Sequence, residues 1–219
     1  MEIIHYFDAI DRQWLLALNN DYPAFWDNIM WSISSKLIWI PFYLSILYVV
    51  VKHWKKESWY LVMGLILCIA IADQISSGIL KETVRRLRPS RDPALENLVV
   101  IVKGYKGGMY GFVSSHSANA FGLAMLSSLL FKNKAYTFAA FFWAALVAYS
   151  RIFLGVHYPG DVLGGAVVGL VSAIIIYWAL QKIPPSLFKG KYIPKKDSNI
   201  PIWTILTTVA FILIYSSII

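Results

Sequence analysis

Six stretches of this 219-residue chain are apolar around the whole circumference of a helix, not along one stripe. A soluble helix needs only one apolar face, whereas a bilayer-crossing helix needs roughly 20 predominantly apolar residues. The stretches cover about 25–51, 59–80, 115–131, 135–154, 162–181 and 201–218. In lipid each backbone polar group must find its partner inside the protein, so such stretches fold as helices. The expected fold class is therefore all-α, a polytopic membrane helix bundle with six transmembrane helices. Composition agrees: 58% of residues are hydrophobic, 15% are charged and the mean hydropathy is +0.59, where a soluble domain carries about 25% charged residues. A chain of this length is expected to form a single domain, 1–219.

Residues 1–22 set Ile3, Ile4, Phe7, Ile10 and Leu15 against Asp8, Asp11 and Asp21. This pattern predicts an amphipathic helix lying in the membrane interface. Met1-Glu2 opens without a basic n-region, so no cleaved signal peptide is expected. The one cysteine, Cys68, excludes an intrachain disulfide and a cysteine-rich metal site. A net charge of +8 would suggest nucleic acid as a partner for a soluble chain. No basic tract is interleaved with aromatic residues as single-strand binding requires, so no nucleic-acid partner is expected, nor any obligate protein partner.

The cations instead lie between apolar runs. Lys52, Lys55 and Lys56, then Lys132 and Lys134, then Lys182, Lys189, Lys191, Lys195 and Lys196 of the linker 182–200 all fall on one side. Basic short loops mark the cytoplasmic side, so both termini are expected outside. Loop 81–113 would then face outward, yet it carries Lys81, Arg85, Arg86, Arg88, Arg91, Lys103 and Lys106. An anion bound at the outer surface would account for that charge. Gly160-x-x-x-Gly164 and Gly165-x-x-x-Gly169 permit close helix packing.

Three polar clusters fall on that same outer face. In Lys81-Glu-Thr-Val-Arg85-Arg86-Leu-Arg88-Pro89, the spacing puts Lys81, Arg85 and Arg88 on one helical face. Pro89 then steers Arg88 out of helical geometry. In Gly111-Phe-Val-Ser114-Ser115-His116-Ser117 a glycine leads through hydroxyls into a new helix, whose free amides make an anion site. Ser114 is placed as its N-cap or as a phosphate donor. In Ser150-Arg151 through His157-Tyr-Pro-Gly-Asp161 an arginine sits in an apolar run. Such residues are costly in a membrane and usually functional. His157 and Asp161 are four residues apart, so the carboxylate can hold one imidazole nitrogen and leave the other to attack. Capping and interfacial anchoring would explain any one cluster, but not all three on one face.

The motifs Lys81-x6-Arg88-Pro89 and Ser150-Arg151-x5-His157-x3-Asp161 resemble those of the type-2 phosphatidic acid phosphatase (lipid phosphate phosphatase) superfamily, in its membrane-bound bacterial branch. The middle motif departs from the family pattern, with Val113-Ser114-Ser115-His116 standing where Pro-Ser-Gly-His is usual. Serine keeps the backbone amide, while valine loses the stiffness of proline. The resemblance covers about residues 73–170. It implies that His157 is a nucleophile forming a phosphohistidine, that Asp161 orients it, and that His116 protonates the leaving oxygen. Lys81, Arg88, Arg151, Ser114 and the amides near Ser115 and His116 would hold the phosphoryl oxygens.

Fixed cations would then neutralise charge that a metal neutralises elsewhere. The loops contain no acidic cluster suited to magnesium, so neither metal nor other cofactor is expected. Arg85 and Arg91 match no motif position and are assigned to a second phosphate or a head group. The expected substrate is a membrane lipid phosphate, with undecaprenyl diphosphate first. Lipid A, phosphatidylglycerol phosphate and phosphatidate are alternatives. The expected place is a bacterial inner membrane, with the site facing the periplasm or exterior. A non-catalytic lipid-phosphate binder or transporter is the alternative of another class. Binding alone would not need His157, Asp161 and His116.

Overall fold

The computed structural model describes residues 2–182, 187–188 and 192–218. Lys189 and Lys191, and the side chains of Ile3 and Ile4, lie outside what is described. Among the described residues ten α-helices follow one another: α1 (Glu2–Leu18), α2 (Ala24–Ser34), α3 (Ile40–Trp54), α4 (Ser58–Asp73), α5 (Lys81–Val84), α6 (Ser115–Phe131), α7 (Lys134–Phe153), α8 (Pro159–Lys182), α9 (Lys195–Ser198) and α10 (Ile200–Ile218). A π-helical stretch, Gln74–Leu80, joins α4 to α5. Among the described residues there is no strand, only one isolated antiparallel bridge, Leu87 to Tyr110.

Among the described residues four stretches are long and apolar enough to cross a membrane: Leu37–Val84, Lys134–Phe153, Pro159–Lys182 and Lys195–Ile218. The first holds both α3 and α4, which pack together after a reversal at Lys55, where φ is 48°. The expected crossing at 25–51 is not one helix. It breaks after Ser34, because Ser35 is extended (φ −73°, ψ 129°). The Trp39 indole then donates to the Ile33 carbonyl at 2.9 Å, and Pro41 sits in the first turn of α3, where its missing N–H costs nothing.

Helix α6 is the axis, packed against α4, α7 and α8. The glycine spacing on α8 makes this possible. A Cβ on Gly165 would strike the Ser114 carbonyl, and one on Gly169 would strike the Ala118 carbonyl, so these two backbones meet in direct contact. Helix α1 docks on α7 and α8 with Leu15 wholly buried. Just beyond its end, Asn19 donates to the carbonyls of Phe153 (2.7 Å) and Val100 (3.0 Å) and accepts from the Val100 amide (2.8 Å). That side chain ties α1, the long loop and the α7–α8 turn together at one end of the bundle.

Candidate active site

The first cluster folds differently from its helical spacing. Lys81 is helical, but Arg85 turns left-handed (φ 51°, ψ 30°) and ends α5. Lys81, Arg85 and Arg88 therefore do not share a helical face. Arg85 stays exposed, with its Nε donating to the Glu82 carbonyl at 3.0 Å. Arg88 is extended (φ −69°, ψ 154°) ahead of Pro89, as the proline requires. Residues 86–88 run beside 109–111: the Arg88 amide donates to Met109 at 3.1 Å and the Gly111 amide to Arg86 at 2.8 Å. This pairing carries Arg88 inward to 8% exposure. Its Nε donates to the Tyr110 carbonyl (3.1 Å) and its Nη1 to the Val156 carbonyl (3.2 Å).

The second cluster starts α6. Ser114 is its N-cap, the hydroxyl accepting from the Ser117 amide at 3.4 Å, as the sequence predicts. The Ser114 amide donates to the Asp161 carbonyl at 2.9 Å, locking α6 to α8. Lys81 Nζ donates to the Ser115 hydroxyl at 3.2 Å and to the Ser77 hydroxyl at 3.3 Å. His116, in the first turn of α6, has Arg151, Lys36, His157 and Arg88 as charged or titratable neighbours.

The third cluster supplies the centre. His157 is 1% exposed and Asp161 0%. His157 Nδ1 lies 3.2 Å from Asp161 Oδ2, which also accepts from the Tyr158 amide at 3.1 Å. A carboxylate only accepts, so Nδ1 carries the hydrogen and Nε2 keeps an unprotonated lone pair. That lone pair faces Arg88 Nη1 at 3.0 Å. Burial first, then Arg88, Arg151 and Lys81, push the His157 pKa well below the ordinary imidazole value. The structure thus shows a neutral imidazole whose lone pair lies among three cations. Arg151 is 3% exposed. Its Nη1 donates to the Ser34 hydroxyl, and its guanidinium lies over the Tyr105 ring at 5.6 Å. Its buried Nε has no partner, so one donor in this wall is open to an acceptor. Gly111 lies against the pair, and a Cβ there would come within 2.7 Å of Asp161 Oδ2.

The structure thus brings Lys81, Arg88, Ser114, Ser115, Arg151, His116, His157 and Asp161 into one neighbourhood. Arg91 does not join it: it is exposed, and its Nη2 donates to the Gly107 carbonyl at 3.1 Å. Sequence reasoning missed Arg86, whose Nη1 donates to Asp161 Oδ1 at 3.2 Å. It also missed Tyr105 and Ser34, the neighbours of Arg151. Asp8 and Asp11 carry the charge that matches the basic loop, but their sequence pattern predicts only an amphipathic helix in the membrane interface. Among the described residues no group of three or more His, Cys, Asp and Glu side chains is arranged to hold a metal ion.

A cavity of about 400 Å³ adjoins the site. His116, Asn119, Ser34, Ser35 and Lys36 line one part of it, and most of the remaining wall is apolar, including Ile46, Leu65, Ala120 and Trp143. Ligand pockets are typically about 300–1,000 Å³ and mostly apolar, with a few polar groups fixing orientation.

Fold and site together define a helical membrane protein with a cationic pocket around a histidine–carboxylate pair. Residues 58–185 match the model of the PAP2 superfamily, and the chain belongs to that family: it is a membrane lipid phosphatase. It is 39% identical over 98% of its length, and 98% of the relative's, to a lipid A 4'-phosphatase of Bacteroides thetaiotaomicron. It is 36% identical to a lipid A 4'-phosphatase of Porphyromonas gingivalis, over 80% of this chain and 74% of that one. A crystal structure of Aquifex aeolicus LpxE superposes with a TM-score of 0.61 at 26% identity, covering 76% of this chain and 93% of that one.

Proposed function

We propose that this phosphatase removes a phosphate from lipid A or a closely related acylated disaccharide, through a phosphohistidine on His157 and without a metal. The substrate assignment rests on the two lipid A 4'-phosphatase relatives, one of them similar along nearly the whole chain. It displaces undecaprenyl diphosphate, the first expectation from sequence. The adjoining apolar cavity suits an acyl chain and shares His116 with the site.

The chemistry is carried by one observation: the His157–Asp161 pair faces three cations, and Arg151 Nε has no partner. His157 Nε2 attacks phosphorus as the phosphorus–oxygen bond to the lipid breaks. His116 gives its proton to the departing oxygen. Lys81, Arg88, Arg151, Ser114 and the first amides of α6 hold the phosphoryl oxygens and neutralise their charge. Arg88 Nη1 leaves the Nε2 lone pair and turns to an incoming oxygen. Water then attacks phosphorus and returns a proton to His116 while the nitrogen–phosphorus bond breaks. Inorganic phosphate leaves.

The wider proposal is a single domain with six crossings and α1 at the interface. Its site faces the periplasm or exterior of a bacterial inner membrane and both termini lie outside. The basic loops support this orientation. A reporter fused after Ile219 that proved cytoplasmic would overturn it.

The test is phosphate release by purified protein in detergent with EDTA present, comparing bisphosphorylated lipid A with undecaprenyl diphosphate. Mass spectrometry of the product should show loss of one phosphate from lipid A, absent in His157→Ala. Faster hydrolysis of undecaprenyl diphosphate would return that lipid to first place. Activity abolished by EDTA and recovered with a divalent cation would refute metal independence.

A further inference from the structure

Arg86 lies two residues before Arg88, yet its surroundings are opposite. Its Nη1 donates to Asp161 Oδ1 (3.2 Å) and to Asp11 Oδ2 (2.6 Å), and its Nη2 to Asp8 Oδ1 (2.8 Å). Its guanidinium stacks on the Tyr158 ring, 3.8 Å from the centroid. The Tyr158 hydroxyl donates to Asp92 (2.8 Å), Asp92 pairs with Arg12 (3.0 Å), and Arg12 pairs with Asp8 (2.9 Å). The ring of contacts closes back on α1. Asp11 also holds the start of α8, where its Oδ1 accepts from the Gly160 amide at 2.7 Å, a group with no partner inside the helix. A Cβ at Gly160 would come within 2.7 Å of Asp11 Oδ2 and push on that carboxylate.

Asp161 is wholly buried, and a buried carboxylate persists only if both oxygens are satisfied. Oδ2 is used by His157 and the Tyr158 amide. Oδ1 has Arg86 as its side-chain donor. Without Arg86, Oδ1 is orphaned in a dry site, and the carboxylate takes up a proton or turns away. Either change removes the acceptor at Nδ1. A protonated Asp161 would instead donate to Nδ1, leaving hydrogen on Nε2, where the attacking lone pair must be.

We propose that Arg86 is a positioning residue for the phosphatase reaction, and that Asp8 and Asp11 of α1 clamp it against Asp161, making the N-terminal helix part of the catalytic apparatus. The assignment rests on His157 as the nucleophile. The Arg86 Nη1 and Nη2 contacts all go to aspartates, which separates it from Lys81, Arg88 and Arg151. By analogy with outer-sphere groups that orient metal-bound imidazoles, whose loss typically costs about 10- to 100-fold in activity, an effect of that order is expected here.

The experiment measures kcat and KM of phosphate release for the lipid phosphate that the wild type hydrolyses fastest, together with competitive inhibition by inorganic phosphate. The variants are Arg86→Gln, Arg86→Lys, Asp8→Asn/Asp11→Asn and the triple combination, with His157→Ala as reference. The expected result is a kcat about 100-fold lower for Arg86→Gln, with KM and phosphate inhibition little changed. Arg86→Lys should recover part of the loss by restoring charge without the fork. The double asparagine variant should lose about 10-fold alone and nothing further on Arg86→Gln, since its effect runs through Arg86. If Arg86→Gln does not fold, Arg86→Lys and the double asparagine variant carry the test by their kcat alone. A wild-type kcat in Arg86→Gln, or in those two, overturns the clamp. So do losses that simply add, or a loss confined to KM and phosphate inhibition. An active His157→Ala sinks the nucleophile assignment, and the clamp with it. An inactive His157→Ala beside a fully active Arg86→Gln sinks the clamp alone.

Discussion

The two ends of the helix bundle handle buried charge in opposite ways. At the end holding the α3 C-terminus and the α9–α10 junction, Lys52 and His53 both close on Asp197 at 2.9 Å. At the other end Lys81, Arg88 and Arg151 surround His157, and among the described residues none of the three pairs with a carboxylate. Paired charges hold helices together. Buried cations without a counterion repel one another and are tolerated where an anion visits. Even within the site end the contrast recurs: Arg86 is neutralised by three aspartates, while the Arg88 side chain two residues later donates, among the described residues, to carbonyls and an imidazole.

The strongest way to break this comparison is at its centre. His157→Ala should lower kcat by on the order of 10⁴-fold or more while leaving the protein folded in detergent. Next are the unpaired cations. Arg151→Ala or Arg88→Ala should each cost about 10²–10³-fold in kcat/KM, the range for a lost oxyanion donor. Arg151→Lys should recover little, because an ammonium cannot place two donors on one phosphoryl group. Gly111→Ala tests the geometry alone, since its methyl group would press on Asp161 Oδ2. A displacement near 1 Å at a reacting group can cost about 100-fold, so a loss of that order is expected with all charges intact. At the opposite end Asp197→Asn should lower the thermal unfolding midpoint and leave kcat unchanged within about twofold. A large kcat effect there would erase the distinction between the ends.

The smallest effect concerns pH. The His157 pKa is held well below its ordinary value by burial and three cations. As pH falls through about 6.5 the unfolded chain takes up a proton at this position that the folded chain does not. Stability rises with pH wherever the unfolded state binds more protons, so the unfolding midpoint should drop as pH is lowered from about 8 to about 5. His157→Gln should show a shallower drop.

Much of this was legible in the sequence. Apolar run length marked the helical membrane fold, because bilayer thickness fixes how many residues a helix needs. Charge and spacing singled out Lys81, Arg88, Arg151, His157 and Asp161, and the family resemblance added His116; the structure brings these six side chains into one neighbourhood. Tertiary details were hidden. Nothing in Trp31-Ser-Ile-Ser34-Ser35-Lys36 announced that Ser35 would turn extended and break the first crossing. Helical spacing put Arg85 beside Lys81 and Arg88, and one left-handed residue undid that. Arg86 looked like one more loop cation, because its partners Asp8 and Asp11 lie 78 and 75 positions away.

The most direct test of the central claim is to look for the covalent intermediate. Purified protein would be mixed with a radiolabelled lipid phosphate in EDTA, quenched within milliseconds under alkaline conditions, and digested for mass spectrometry. The account predicts an acid-labile, alkali-stable phosphate on the peptide containing His157, formed and lost at rates compatible with turnover and absent in His157→Ala. Turnover with no protein-bound phosphate at any quench time, or with the label on another residue, would contradict it.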